Sequence, residues 1–517
     1  MIVSRASLAA AGALVILFAA SCGGGDEDGP AGGSSADSID LAVDKPSFTI
    51  TFRAGDLQGG APSSIASGDF NADGDTDLLL GAPFADGRDA SRTDGGEALI
   101  VYGPIDADRN LGAGAPDVQI RGAMPGDMLG AAVAAGDLNG DGVDDIVLGA
   151  PGSSGVPAVR TDMGEAYIIF GGQLPASIDL LDQSYDSLLQ PAEGFSTLGK
   201  SFAIADVNAD GTSDLIAGAP YAGRVEGTPP GSPRTTVGEV YVVFGSADLP
   251  KVVSVTEGLE DVRLSGINSY DLFGGSVATA DINGDDVADI VVGASGYDGS
   301  DGGQPEAGGA FVFYGGGDLV QHETLLQADI TIAGEDSGDT LGTFVSAADL
   351  NGDGRAEIVA GAPSAAGPAN ERFSSGEVVI LDLSADGSSS PLTSASGRRI
   401  YAPTDGELMS GPVALSPDEP SRIAIGSTLR ATPDRVGAGW TYVLDVPSDG
   451  DVDLAIATSS ALQIKGALDR HGLGGAVAFS DLDNDGTQEL LVEAADGVQS
   501  LGANPTFVGY LYVLRVP

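Results

Sequence analysis

The chain has 517 residues, with 75 acidic side chains against 23 basic ones and a formal net charge of −52. Such acidity excludes nucleic acid and anionic membrane surfaces as principal partners, because both repel it. It does not signal disorder, since 42% of the residues are hydrophobic and regularly patterned, and 79 glycines with 28 prolines fit a turn-rich all-β protein.

In chain order, residues 1–21 read as a secretion signal, with Arg5 at its start and an apolar run over residues 8–18. Ala19-Ala20-Ser21-Cys22 then resembles a bacterial lipobox, with Ala19 where leucine is usual. Cys22, the single cysteine of the chain, is therefore expected to carry lipid and become the new N-terminus. Beyond it, no apolar stretch approaches the roughly 18 residues that cross a bilayer. The membrane is thus expected to be reached only through this anchor, which places the chain at the cell envelope, on the outer membrane or cell surface. Residues 22–46, rich in Gly, Ser and acids, read as a flexible tether.

From residue 47 to the end, one motif recurs. Its second copy runs Asp137-Leu138-Asn139-Gly140-Asp141-Gly142-Val143-Asp144-Asp145, followed by an apolar run ending Gly149-Ala150-Pro151. Oxygen ligands at alternate positions of a tight turn converge on one hard cation, and the absence of thiol or imidazole favours calcium. The candidate ligands of the first copy are Asp69, Asn71, Asp73 and Asp77, and those of the second are Asp137, Asn139, Asp141 and Asp145. The third copy offers Asp206, Asn208, Asp210 and Asp214; the fourth offers Asp281, Asn283, Asp285 and Asp289. The fifth has Asp349, Asn351, Asp353 and Glu357, and the seventh Asp481, Asp483, Asp485 and Glu489. The sixth copy keeps only its flanking strands around Ser416-Pro417-Asp418-Glu419-Pro420-Ser421, where no metal is expected. About six calcium ions are thus expected, with a structural role. An EF-hand needs an acid at loop position twelve, whereas Leu80, Leu148, Ala217, Val292, Ala360 and Val492 stand there.

Successive first ligands are spaced 68, 69, 75 and 68 residues apart, then 132 across the degenerate unit. That period holds four short strands with their loops, which is one blade of a propeller. Within a unit, a glycine-led strand such as Phe273-Gly274-Gly275-Ser276-Val277-Ala278 precedes the loop, and the apolar strand follows it. The third strand is aromatic, as in Glu239-Val240-Tyr241-Val242-Val243-Phe244. The fourth is typified by Asp117-Val118-Gln119-Ile120-Arg121-Gly122. The last unit ends after its third strand, and residues 47–55 form an orphan strand at the start. The expected fold is an all-β, seven-bladed propeller of four-stranded blades, its ring closed by that N-terminal strand in the last blade.

Phe273-Gly274 and the repeated Gly-Ala-Pro resemble the FG-GAP repeats of integrin α-subunit propellers. The resemblance spans residues 47–517 and implies calcium in the loops between first and second strands. Most of the "FG" positions are Leu-Gly here, at Leu129, Leu198, Leu341 and Leu473, which departs from the aromatic pattern. The loops between second and third strands, on the opposite face, hold eight arginines against eleven acids: Arg88, Arg92, Arg160, Arg224, Arg234, Arg372, Arg430 and Arg435. Arg88, Arg92, Arg160 and Arg224 are the candidate ligand-binding set for carboxylate or sulfate. In integrins the corresponding face binds ligand.

Catalytic signatures are missing from the sequence. His322 and His471 stand in unlike contexts, and no nucleophile elbow, histidine metal pair or phosphate loop occurs. The functional expectation is an envelope-anchored, calcium-binding module that adheres to a protein or glycan, without enzymatic activity. A carbohydrate-active or other hydrolytic enzyme on the same scaffold is the alternative, and a structural envelope scaffold a third.

Overall fold

The computed structural model describes residues 38–517 except 43, 53–63, 87–90, 112–114, 156–162, 192–194, 224–235, 300–301, 384–391, 394–396, 408, 410–411, 417–420, 429, 431–436, 448–449, 457–460, 468–471, 499–506 and 517. The secretion signal and Cys22 lie outside the described residues. Among those described, regular structure consists of strands and single turns of 3₁₀ helix.

The strands form seven antiparallel sheets in chain order, each one blade of a propeller. Blade one is Ile65–Gly68, Asp77–Ala82, Glu97–Val101 and Val118–Arg121; blade two is Val133–Gly136, Asp145–Ala150, Glu165–Ile169 and Ser187–Gln190. Their strands differ according to what covers them. The second strand, such as Asp145–Ala150, is buried at every residue because neighbouring blades cover both faces, so its sequence is a continuous apolar run. The outer strand Val118–Arg121 alternates buried and half-buried positions. The innermost strands, rich in small residues, touch one another in sequence, and that of blade one (Ile65–Gly68) also meets that of blade seven (Leu473–Ser480), so the ring is closed. Phe48–Thr51 runs antiparallel to Phe507–Leu514 and is the fourth strand of blade seven.

Seven hydrophobic clusters fill the interfaces, one between each pair of neighbours. Phe70, Leu79, Ile100, Ile146 and Leu148 belong to the one joining blades one and two. Phe48, Ile50, Leu78, Leu491 and Val513 belong to the one joining blades seven and one.

The Gly-Ala-Pro and Leu-Gly motifs meet at these interfaces. A Cβ on Gly81 would lie 2.0 Å from the carbonyl oxygen of Gly130 in the next blade. The same approach recurs as Gly149 on Gly199, Gly218 on Gly274, Gly293 on Gly342 and Gly426 on Gly474, each at 2.1 Å. The second glycine of each pair also has positive φ, for example +87° at Gly130. One glycine therefore clears space and its partner supplies the turn.

Four-stranded blades understate the result. Six blades gain a short fifth strand, parallel to the outer one and lent by the following blade: Ser177–Asp179 on Val118–Arg121 is an example. Blade six takes its fifth strand from the segment expected to be tether, where Ser38–Asp40 pairs with Gln463–Lys465. That segment is ordered because Ile39 packs on the cluster between blades six and seven, beside the buried Leu41. The tether expectation is corrected there.

Gly149→Ala forces a methyl into a backbone carbonyl that cannot retreat without moving blade three. Overpacking of this kind costs about 1–3 kcal/mol. Urea unfolding of the variant is expected to give a lower midpoint, whereas Gly142→Ala, with nothing within 4 Å of the added Cβ, perturbs packing less and acts through its φ of +85°.

Candidate metal centres and the arginines of the opposite face

Each acidic loop joins the first strand of a blade to the second. Its second residue is a core plug: Phe70, Leu138, Val207, Ile282, Leu350 and Leu482 are all buried. With that side chain fixed, the backbone turns tightly over the acids. In loop one, Asp69 accepts from the N–H groups of Asp73 at 3.1 Å and Gly74 at 3.0 Å, and Asn71 accepts from Asp73 at 2.8 Å. Loop two repeats this with Asp137 accepting from Asp141 at 3.1 Å and Gly142 at 2.8 Å, and Asn139 accepting from Asp141 at 2.8 Å. The turn needs a left-handed residue at position six. Gly74, Gly142, Gly211, Gly354 and Gly486 supply it with φ of +85° to +90°, and in loop four Asp286 adopts +67°.

The fourth candidate ligand differs from the others, because it opens the second strand and is buried. Asp77, Asp145, Asp214, Asp289 and Glu489 are 0% exposed and Glu357 1%. Asp145 accepts from Leu138 at 2.9 Å and from Gly171, beyond the third strand, at 2.9 Å. Asp77 bonds Phe70 and Gly103 in the same way, at 2.9 and 2.8 Å. One carboxylate therefore joins the metal loop to the far hairpin of its own blade. Burial is the main cause that pushes Asp77, Asp145, Asp214 and Asp289 up to about 6; the backbone N–H bonds offset it in part, and repulsion from the loop acids adds to it. Burial also raises Glu357 and Glu489.

The loops are linked around the ring. The main-chain carbonyl of Asp69 accepts from Asp144 of the next loop at 3.2 Å, and those of Asp137, Asp206 and Asp281 accept from Ser213, Ala288 and Ala356. The donor set fits a hard divalent cation: all oxygen, crowded with like charge, and containing in loops one to four one buried carboxylate with no cationic partner among the described residues.

Loop seven is an exception that the sequence did not disclose. Carboxylate oxygens of Asp481, Asp483 and Asp485 lie within 4.8 Å of one another. Arg515, just past the last strand, reaches into them. It pairs with Asp483, with Asp485 at 2.7 Å and with Glu489 at 3.3 Å, so a guanidinium engages three of the four candidate ligands. In blade six, residues 417–420 lie outside the described residues.

On the opposite face, Arg92 is committed within the fold. Its guanidinium grips both carboxylate oxygens of Asp179, at 2.7 and 2.8 Å, and the carbonyl of Gly122. Asp179 ends the fifth strand of blade one, so Arg92 clasps that strand, and its guanidinium holds the Asp179 carboxyl below the usual range. Arg372 does the same in blade five, bonding Ala402 and Asp453, which ends the fifth strand there. Both stand five residues before a buried glutamate, Glu97 or Glu377, and that spacing was the available signal. Arg88, Arg160 and Arg224 lie outside the described residues, as does His471. His322 sits 3.8 Å from Asp329 and edge-on to Phe313.

With this geometry in place, similarity to known proteins becomes informative. The FG-GAP repeat family matches residues 61–101, 129–169, 198–243, 273–313 and 341–381, which cover blades one to five from first strand to third. The chain is 29% identical over 399 residues to a phosphatidylinositol-glycan-specific phospholipase D of Bos taurus, covering 72% of this chain and 44% of that protein. It is 30% identical over 243 residues to integrin alpha pat-2 of Caenorhabditis briggsae, covering 46% of this chain and 18% of that one. Integrin alpha-PS2 of Drosophila melanogaster is 29% identical over 247 residues, covering 46% and 15%. The chain thus spans less than half the length of these relatives.

Two outcomes follow for the loops. Without metal, the fourth-position aspartates Asp77, Asp145, Asp214 and Asp289 ionise less readily in the fold than in the unfolded chain, where they titrate near 3.8. Their contribution in chelator therefore favours folding at pH 4 and declines as pH rises through about 6. Calcium needs the ionised carboxylates, so it reverses the trend. Thermal melts at pH 5 and 7.5 are expected to show a calcium-dependent rise in Tm that is larger at pH 7.5. An equal rise at both contradicts the account. Arg515→Ala is expected to tighten the weakest calcium step at least about tenfold in calorimetric titration, by removing a competing cation.

Proposed function

We propose that this propeller of FG-GAP repeats is a calcium-binding, envelope-anchored module that adheres to a protein or glycan ligand through the loop face opposite its metal loops. The observation that carries the reading is the similarity of its propeller to integrin α subunits, combined with the segregation of the molecule's two faces. One face carries the acidic loops, linked to each other and suited to calcium. The other holds the loops between second and third strands, where arginines nearly balance the acids and loop sequence varies most between blades. Calcium on the first face stiffens the blades that position the second. Lipid on Cys22 holds the module at the membrane while the rest of the chain stays in water.

The match to phosphatidylinositol-glycan-specific phospholipase D favours a second reading, in which the chain takes part in hydrolysis of such a lipid. The shared region is a propeller, and a propeller supplies no reaction without a catalytic constellation. Binding is therefore the reading adopted.

An array of glycans and extracellular matrix proteins, probed in calcium and in chelator, tests it. Binding that needs calcium and is lost when the three arginines Arg88, Arg160 and Arg224 are changed to alanine is expected, with Cys22→Ser shifting the protein out of the membrane fraction. Release of a glycosylphosphatidylinositol-anchored protein by the purified chain, without array binding, contradicts it in favour of the second reading.

A further inference from the structure

Blade three is built differently from the rest. Its sheet, Ser201–Ala205, Asp214–Ala219, Glu239–Val243 and Val262–Ser265, stops at four strands, whereas the other six have five among the described residues. The segment that would lend the fifth, between Gly309–Phe313 and Ile330–Ala333, instead winds into two 3₁₀ turns, Leu319–Gln321 and Leu325–Gln327. Only its end reaches the sheet: Ser265 forms one parallel bridge with Thr324 and donates its N–H to Glu323 at 3.0 Å. In blade one the same register continues for three residues, Gln119, Ile120 and Arg121 facing Ser177, Ile178 and Asp179, with Gln119 donating to Ala176. In blade three the equivalent Arg263 and Leu264 have no strand beside them.

Where the chain peels away, a cavity of about 410 Å³ opens between Asp261, Arg263 and Glu239 on one side and Val320, His322 and Glu323 on the other. A volume of that size lies within the range of small ligand sites. Among the described residues, Nδ1 of His322 in its lining is buried without a hydrogen-bond partner, and so is Oε2 of Glu260, the chain neighbour of the lining Asp261. The charges are unbalanced. Glu239, Asp261 and Glu323 supply three carboxylates to the lining, while Arg263 is committed to Glu239 at 2.7 Å and His322 faces Asp329 at 3.8 Å. Val320 stays 55% exposed at the rim, an apolar surface for the stem of a long side chain.

We propose that the outer edge of blade three receives an extended segment of a partner protein, bearing a lysine or arginine, as an added parallel strand. The six filled blades show that this position accepts a strand of two or three residues in this fold. Main-chain hydrogen bonds to Arg263 give the addition its direction, and the basic side chain enters the cavity toward Asp261 and Glu323. The site lies on the rim of the ring and does not depend on what the loop face binds.

Hydrogen exchange on the full chain is the first test. The Arg263 amide is expected to exchange at least about tenfold faster than the Gln119 amide, because no strand covers it. Linear nonapeptides displayed on phage and selected against the full chain are the second. Enriched peptides are expected to alternate β-branched residues with Lys or Arg, and the synthetic peptide to slow exchange at residues 262–265. Arg263→Pro, which removes the outward N–H, and the double change His322→Ser with Glu323→Ile, which restores the Ser-Ile pair of blade one, are each expected to weaken that peptide at least tenfold. The second variant keeps Arg263 and its pair with Glu239, so it separates a closed edge from a damaged one. Slow exchange at Arg263 in the free chain overturns the proposal. So do failure to enrich any peptide, a peptide that protects another region, and binding that both variants retain.

Discussion

Neighbouring blades approach until backbone touches backbone, and the remaining architecture depends on that contact. At five interfaces the second-strand glycine of one blade lies against a glycine in or just before the first strand of the next, leaving no room for a Cβ. The closeness lets apolar side chains from both blades interdigitate into one cluster per interface, so each second strand is buried on both faces. It also brings consecutive acidic loops near enough for the carbonyl of one first ligand to accept from the following loop. A single steric constraint therefore sets the core, the ring and the spacing of the candidate metal centres.

Charge is distributed around that frame in two ways. On the face of the acidic loops, acids are gathered faster than cations, and the buried carboxylate in each of loops one to four accepts from main-chain N–H groups and, in loops two to four, from the side-chain amide of the loop asparagine. Crowding of this kind is unfavourable unless a cation joins it. At the other end of the blades, guanidinium groups do the neutralising: Arg92 on Asp179, Arg372 on Asp453, Arg263 on Glu239 and Arg430 on Glu407. Arg515 brings the second solution into the last loop of the first face. The two ends thus hold like structural acids with different counterions.

Much of this was legible in the chain. Asp-x-Asn-x-Asp recurring near every 68 residues located the loops, and the apolar runs after them located the second strands, because both are local patterns with a fixed chemistry. The fifth strands were not legible. Ser177–Asp179 has three residues and pairs with a strand some sixty residues earlier, and no local periodicity marks it. Arg92 looked available for ligand because its carboxylate partner is 87 residues away. Ser38–Asp40 is set in a low-complexity stretch whose composition alone predicts a tether, and a vacant sheet edge overrides it. What sequence could not supply in each case was a partner distant along the chain.

The central claim is that the six acidic loops are calcium centres built into the blades. Crystals grown in calcium, with anomalous differences collected near the long-wavelength limit, test it most directly. The account predicts peaks in loops one to five, each bounded by its four named oxygen ligands including the buried acid, with a weaker peak in loop seven where Arg515 competes. Ordered loops that show no peak at millimolar calcium would contradict it.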